Sequence, residues 1–400
     1  MNKSVKLLFL SFISVFLLIA CNDDPSSTGL GLITDKDKVQ FSELDSYSTG
    51  MRQSSGYFED EQNLGSSELL ILGKNSYSES VVLMHFSIFL TDSLKTQLNN
   101  HEAFVRQVWM EMTPVYTLGD AANNFDFTVH KINSKWSSAG FDKDSLSSGS
   151  FSFDPTNVLI SKTIDDTTFN FDIEPEVVQK WLEYHADTLS NPKYYGLLLK
   201  PTSGTQKMIG LKSLQSSDSE TLPLIHVVME KPSVYKDTIS INPYMDIHVV
   251  TGEVSTDPNR IVLEGGLPIK GNLFFDLSSL TKDLIINKAT LELTVDTVAS
   301  IDGSAKSDSI LARILKDSTA KSLTGDSLIA TVIKRTGNVF SGDITWMVQR
   351  WAQGTVENQG ILLELYDEDE STARISIYGT KEPQALLRPR LKIIYVKKNN

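Results

Sequence analysis

Few residues in this chain are placed to do covalent chemistry. Its 400 residues hold one cysteine, Cys21, and six histidines at 85, 101, 130, 185, 226 and 248. A single thiol excludes disulfides and thiolate metal sites elsewhere. The histidines are scattered, and none is paired at a metal-ligand spacing. His85, His130, His226 and His248 fall in strand-like runs, where an outward-facing position is expected. No nucleophile elbow, phosphate loop or dinucleotide fingerprint occurs. Carboxylates are plentiful, but sequence cannot pair them as glycoside hydrolysis requires. The acidic run Asp367-Glu368-Asp369-Glu370 reads as a solvated turn. A structural Ca²⁺ site is the alternative, since hard oxygen ligands favour that ion, but the spacing of a calcium loop is missing. No catalytic residue, metal or cofactor is therefore expected; a β-sandwich polysaccharide lyase or hydrolase assembled from dispersed residues is the competing reading.

Residues suited to binding are better represented. Apolar sugar faces stack on aromatic rings, while hydroxyls need directional polar partners. Trp136, followed directly by Ser137-Ser138-Ala139-Gly140, is the leading candidate for such a platform. Its competing role is a ring folded back over a sheet edge. Tyr194 and Tyr195, after Asn191-Pro192, are the second candidates, with a core position the alternative for Tyr195. The formal charge is −13, and −15 once Lys3 and Lys6 leave with residues 1–20. That balance argues against nucleic acid and anionic membrane surfaces as partners, and suits neutral or cationic ligands.

Lys3 and Lys6 precede an apolar stretch, Leu7 to Ile19, too short to span a bilayer convincingly. It ends in Leu18-Ile19-Ala20-Cys21, which resembles the lipobox of bacterial lipoproteins. The resemblance implies cleavage after residue 20, lipid on Cys21 and a firm membrane anchor, at about 0.8 kcal/mol per buried CH2. Residues 21–40 open with Asn22-Asp23-Asp24 and continue in Pro, Ser, Thr and Gly, the composition of a flexible tether. Acidic residues after the lipidated cysteine resemble a surface-export signal, so an outer-membrane lipoprotein facing the medium is expected, with a merely polar linker on a periplasm-facing lipoprotein the alternative.

The elements that must position any site are strands. Val82, Met84, Phe86 and Ile88 alternate with Val81, Leu83, His85 and Ser87, as half-buried strands do. Similar runs follow at Phe125–Val129, Ala289–Val295 and Leu391–Tyr395, with glycine-bearing turns between strands. The chain also repeats itself. Phe171-Asp172-Ile173, Val177-Val178-Gln179-Lys180-Trp181 and Tyr195-Gly196-Leu197 return as Gly342-Asp343-Ile344, Met347-Val348-Gln349-Arg350-Trp351 and Gln359-Gly360-Ile361. The tryptophans lie 170 residues apart and the glycines 164. Val108-Trp109-Met110-Glu111-Met112 matches Ala289-Thr290-Leu291-Glu292-Leu293, and Leu83–Ile88 matches Asn272–Leu277. The expectation is an all-β chain of two tandem jelly-roll-like antiparallel sandwich domains, 41–231 and 232–400, each with one short helix. Pro175 suits the first turn of one helix, and Thr345 the N-cap of the other. Their apolar stripes make Trp181 and Trp351 core residues.

These blocks, with Gly65-Ser66-Ser67 before Leu69–Leu72 and Phe274-Phe275-Asp276-Leu277-Ser278-Ser279-Leu280, resemble the DNRLRE-type or disaggregatase-related β-sandwich family. That family overlaps carbohydrate-binding module family 96. His85 and Ser87 depart from the arginine and aspartate usual there. The resemblance implies a jelly-roll-like sandwich of the kind found on secreted and surface proteins, with glycan binding in some members. Together with the tether, the duplicated all-β body and the absent catalytic motif, it makes a non-catalytic polysaccharide-binding role the favoured expectation. A structural or adhesive lipoprotein with a surface protein partner is the alternative.

Overall fold

The computed structural model describes residues 41–397 except 62–63, 121, 219–220, 255–256, 302–307, 320–321 and 324–328. Cys21, residues 1–20 and the 21–40 tether lie outside the described residues. Among those described, no helix is long and apolar enough to cross a membrane.

The fold is all-β, built of antiparallel sheets. Two strands, β1 (Phe41–Asp45) and β2 (Gln53–Glu59), open it. The N-terminal half continues with β3 (Leu69–Lys74), β4 (Ser78–Phe86), β5 (Phe104–Met112), β6 (Pro114–Leu118), β7 (Phe127–Lys131), β8 (Leu159–Ile164), β9 (Phe169–Ile173), β10 (Leu197–Pro201), β11 (Met208–Lys212) and β12 (Leu224–Lys231). Next come β13 (Tyr235–Ile241) and β14 (Pro243–Gly252). The C-terminal half holds β15 (Arg260–Glu264), β16 (Ile269–Phe275), β17 (Leu284–Thr294), β18 (Ser309–Asp317), β19 (Ser322–Leu323), β20 (Thr331–Thr336), β21 (Val339–Asp343), β22 (Ile361–Leu365), β23 (Arg374–Tyr378) and β24 (Arg390–Lys397).

In the N-terminal half a seven-stranded sheet, β6-β11-β3-β4-β10-β7 with β14 along β4, faces a five-stranded sheet, β13-β12-β5-β9-β8. Between them lies a core that includes Leu72, Met84, Phe127, Phe169 and Leu199. The C-terminal half repeats this order as β23-β15-β16-β22-β18 with β2 along β16, and β1-β24-β17-β21-β20. Pairing of β18 with β20 joins its two sheets into one of twelve strands. A second core, with Leu273, Leu291, Phe340 and Leu363, fills it.

Strand pairing crosses the midpoint of the sequence in both directions. β1 and β2 precede the N-terminal half but pair with β24 and β16 of the C-terminal half. β13 and β14 lie beyond residue 231 but pair with β12 and β4 of the N-terminal half. Each pair of strands thus occupies the same place in one half and precedes the other in sequence.

The period of two in Val81–Ile88 predicts one buried face, but β4 is covered on both. Val82, Met84 and Phe86 enter the N-terminal core. Val81 and Leu83 enter a further cluster between the halves, with Ile247, Val249, Val262 and Ile269. The same double burial overturns the outward position expected for two histidines. His248 on β14 is fully buried, its ring nitrogens have no hydrogen-bond partner, and burial pushes its pKa down to about 3. His130 on β7 is 7% exposed and bonds the Asp154 carbonyl and the Thr128 hydroxyl.

Helices are short. Pro175 opens α3 (Pro175–Ala186), whose Val177, Val178, Trp181 and Leu182 are buried. In α4 (Thr345–Gln353), Thr345 is the first helical residue, not the cap; its hydroxyl accepts from the Ala289 amide. The N-terminal half holds two more helices than the single one expected, α1 (Asp92–Asn99) and α2 (Lys143–Ser147). Each has a side-chain N-cap, Thr91 and Asp142, which satisfies an otherwise orphan amide. Both are too short for their apolar spacing to show a period.

The acidic run is not a freely solvated turn. The Ser67 hydroxyl donates to the Asp369 carbonyl and the Tyr116 hydroxyl to that of Glu370, tying the turn to the N-terminal half. Lys270 reaches Asp60 at 2.9 Å, Glu364 at 3.4 Å and Glu368 at 3.6 Å. Burial still outweighs Lys270 and lifts Glu368 to about 7. An acid whose folded pKa is raised stabilises fully below its ordinary value near 4.5 and loses that contribution as pH rises through 7. Glu368→Gln should therefore flatten the stability profile between those values, by at most about 3 kcal/mol. Chemical denaturation of both proteins at pH 4.5 and pH 7.5 checks this; parallel profiles would contradict it.

Candidate functional site

A cleft of about 350 Å³ opens where four segments of the N-terminal half meet β14. The end of β4 supplies His85, and the last turn of α3 supplies Tyr184 and His185. The loop after β7 brings Lys135 and Trp136; the segment before β10 brings Lys193, Tyr194 and Tyr195; β14 adds Tyr244. All three aromatic residues singled out from sequence line it together.

Packing sets the order of these rings. Phe86, buried at the end of β4, stacks on Trp181 at 5.5 Å between centroids. Trp181 in turn stacks on Tyr194 at 5.0 Å. The Tyr194 hydroxyl donates to the Phe86 carbonyl at 3.0 Å and lies 2.8 Å from His185 Nε2. With its proton committed to the carbonyl, it accepts from His185, so Nε2 carries that ring's hydrogen. Burial drives the Tyr194 pKa well above the usual phenol range. Desolvation also lowers both histidines, helped at His185 by Lys95 and opposed at His85 by the hydrogen bonds its ring makes to the backbone of Phe86 and Tyr194. His85 sits between Tyr194 at 5.1 Å and Tyr244 at 4.8 Å, edge-on to the latter.

Gly196 fixes the approach of Tyr194 and Tyr195 to β4. Its φ is +95°, and a Cβ there would fall 1.9 Å from the Met84 carbonyl oxygen. The repeated Gly360, at φ +101°, makes the same kind of turn against Leu273.

Trp136 is 6% exposed and belongs to the cluster between the halves. Its indole N–H donates to the Tyr195 carbonyl at 2.8 Å, and its ring meets Phe141 edge-on. The most exposed of the cleft's aromatic rings is Tyr244, at 53%, while Tyr184, Tyr194 and Tyr195 are half-buried. Lys193 lies over the Tyr195 ring at 5.6 Å. Sequence reasoning passed over His85, Tyr184, His185, Lys135, Lys193 and Tyr244. One local signal was present for the last: Asn242-Pro243 precedes Tyr244 as Asn191-Pro192 precedes Lys193-Tyr194.

Electrostatically the cleft departs from the rest of the chain. Its lining includes two lysines and no carboxylate, on a protein of formal charge −13. The equivalent groove of the C-terminal half, about 560 Å³, lies beside Phe274, Leu277, Trp351 and Asn358. It carries Asp276, Glu357 and Lys282 and no tyrosine or histidine. Among the described residues no group of three or more histidine, cysteine or acidic side chains is placed to hold a metal.

Compared with protein-family models, curated proteins and solved structures, the chain matches none.

Because Trp136 fills space between the halves, its removal should act on folding before binding. Trp136→Ala is expected to cost about 3–5 kcal/mol, read as a lowered midpoint in denaturant. An unchanged midpoint would mean the ring is not packed as described.

Proposed function

We propose that this protein is a non-catalytic polysaccharide-binding lipoprotein of the cell surface, and that the Tyr244–His85–Tyr194 cleft is its binding site. The observation that carries this reading is the asymmetry between the halves. A groove lies at the matching place in each half, yet only the N-terminal one is lined with tyrosines and histidines; it holds two lysines and no carboxylate, where the C-terminal one holds Lys282 beside Asp276 and Glu357. Packing alone does not require those residues, since the C-terminal half folds with Phe274 and Asp276 in place of His85 and Ser87.

Ring faces with hydroxyl and imidazole edges suit a sugar chain, and Lys135 and Lys193 favour one with carboxylate or sulfate groups. This local preference runs against the neutral or cationic ligand that net charge alone favours. The lipobox-like Leu18–Cys21, the acidic residues after it and the DNRLRE resemblance support the surface placement. The matching strand order supports reading the halves as tandem copies of one sandwich domain.

Soluble protein starting near residue 33 should bind acidic polymers on a polysaccharide array, with weaker retention at high salt. Tyr244→Ala should lower that affinity about tenfold or more while leaving the unfolding midpoint unchanged. Loss of no affinity would remove the cleft as the site. Depolymerisation of a bound polymer would replace the binding reading with an enzymatic one.

A further inference from the structure

The outer face of the five-stranded sheet β13-β12-β5-β9-β8 carries a second aromatic feature, well apart in sequence from the cleft. On β5, Val108, Met110 and Met112 point into the core, so Trp109 stands on the opposite, solvent side. Trp109 is half-buried because His226, its cross-strand neighbour on β12, stacks on it at 4.8 Å with the rings 16° from parallel. His226 is itself held at both nitrogens. Glu111 lies 3.1 Å from Nε2, and the Ser240 hydroxyl 2.9 Å from Nδ1. One face of the indole is thus backed by a fixed ring.

The other face looks towards β9 and β8, on the far side of β5 from β12. There a groove of about 290 Å³ runs beside Trp109, lined by Gln107, Ser161, Asn170, Asp172 and Lys162. That volume is near the small end of ligand sites, which run from about 300 to 1,000 Å³. Asp172 accepts from Ser161 and, at 3.5 Å, from the Gln107 amide. Lys162 is drawn away into an ion pair with Asp126. An aromatic wall, two side-chain amides, hydroxyls and one carboxylate therefore face the groove.

The repeat supplies an internal control. In register, Trp109 pairs with Asp172 and His226; in the C-terminal half Thr290 pairs with Asp343 and Lys392. The same sheet forms there with no aromatic at these positions, so the fold does not require the Trp109–His226 stack.

We infer that the groove beside Trp109 is a second binding site, for an uncharged glycan whose ring stacks on the indole and whose hydroxyls bond Asp172, Gln107 and Asn170. An acidic chain is disfavoured here by Asp172 and by the commitment of Lys162. The site is independent of the cleft: it uses other residues, another sheet and a ligand of different charge.

The test measures binding of mannan, xylan and laminarin by affinity electrophoresis of the intact soluble protein. Wild-type protein should be retarded by at least one of them, with little dependence on salt. Trp109→Ala should weaken that retardation about tenfold, Asn170→Ala should weaken it less, and Thr290→Ala should leave it unchanged. Circular dichroism melts check that each variant remains folded. Retention of full affinity by Trp109→Ala, or no retardation of wild-type protein by any of the three, overturns the proposal. Neither result touches the acidic-polymer reading of the cleft, which depends on Tyr244.

Discussion

Strand β4 has no solvent-facing side, and much of the molecule is arranged around that constraint. A buried strand must place every amide and carbonyl in a hydrogen bond, because an unpaired one costs roughly 1–3 kcal/mol. β14 supplies partners along one edge from Ser78 to Phe86, while β3 and β10 share the other. One face then seals the N-terminal core and the other seals the contact with the C-terminal half. The strand ends where that double cover ends, and His85 beside Phe86 marks the transition from packed interior to open cleft.

The pairing of β1 and β2 with the C-terminal half, and of β13 and β14 with the N-terminal half, follows the same logic at larger scale. An exposed strand edge is an aggregation hazard. Here β13 and β14 cover β12 and β4, and β1 and β2 cover β24 and β16. A cut between residues 231 and 232 would separate β12 from β13, which pair over seven positions, Ile225–Ile241 to Lys231–Tyr235. The halves are bound together further by apolar packing and by polar contacts such as the Ser67 hydroxyl to the Asp369 carbonyl and the Tyr116 hydroxyl to that of Glu370. They repeat each other in topology but not in surface chemistry, and the difference concentrates in the N-terminal half at His85, Tyr244 and Trp109.

The all-β class, the inward tryptophans 181 and 351 and the repeated glycines were legible because each leaves a local trace: alternation, a helical stripe, a tight turn. The cleft was legible only in some of its residues. Trp136, Tyr194 and Tyr195 stand out as aromatics beside turn residues, but which ring is exposed depends on what lies across the gap. Trp136 is covered by strands far away in the chain; Tyr244, remote from all three in sequence, is left open. The outward direction of Trp109 was readable from its place between Val108 and Met110, yet its stacking on His226 was not, since sequence does not disclose strand register across 117 positions. The double burial of β4 did leave a trace: Val81-Val82-Leu83-Met84 is an unbroken apolar run, the pattern of a strand covered on both faces, and only His85 and Ser87 at its end give it the look of alternation.

Because β1 lies along β24, with Phe41 opposite Val396, the chain enters the described fold at the edge of the C-terminal half. In a protein held at Cys21, tension from the anchor would load five antiparallel residue pairs of that half first. The half nearest the tether in sequence becomes the one farther along the load path. Between that edge and the residues around Tyr244 and Trp109 lies the packed contact between the halves, so the two halves are joined by more than the covalent chain.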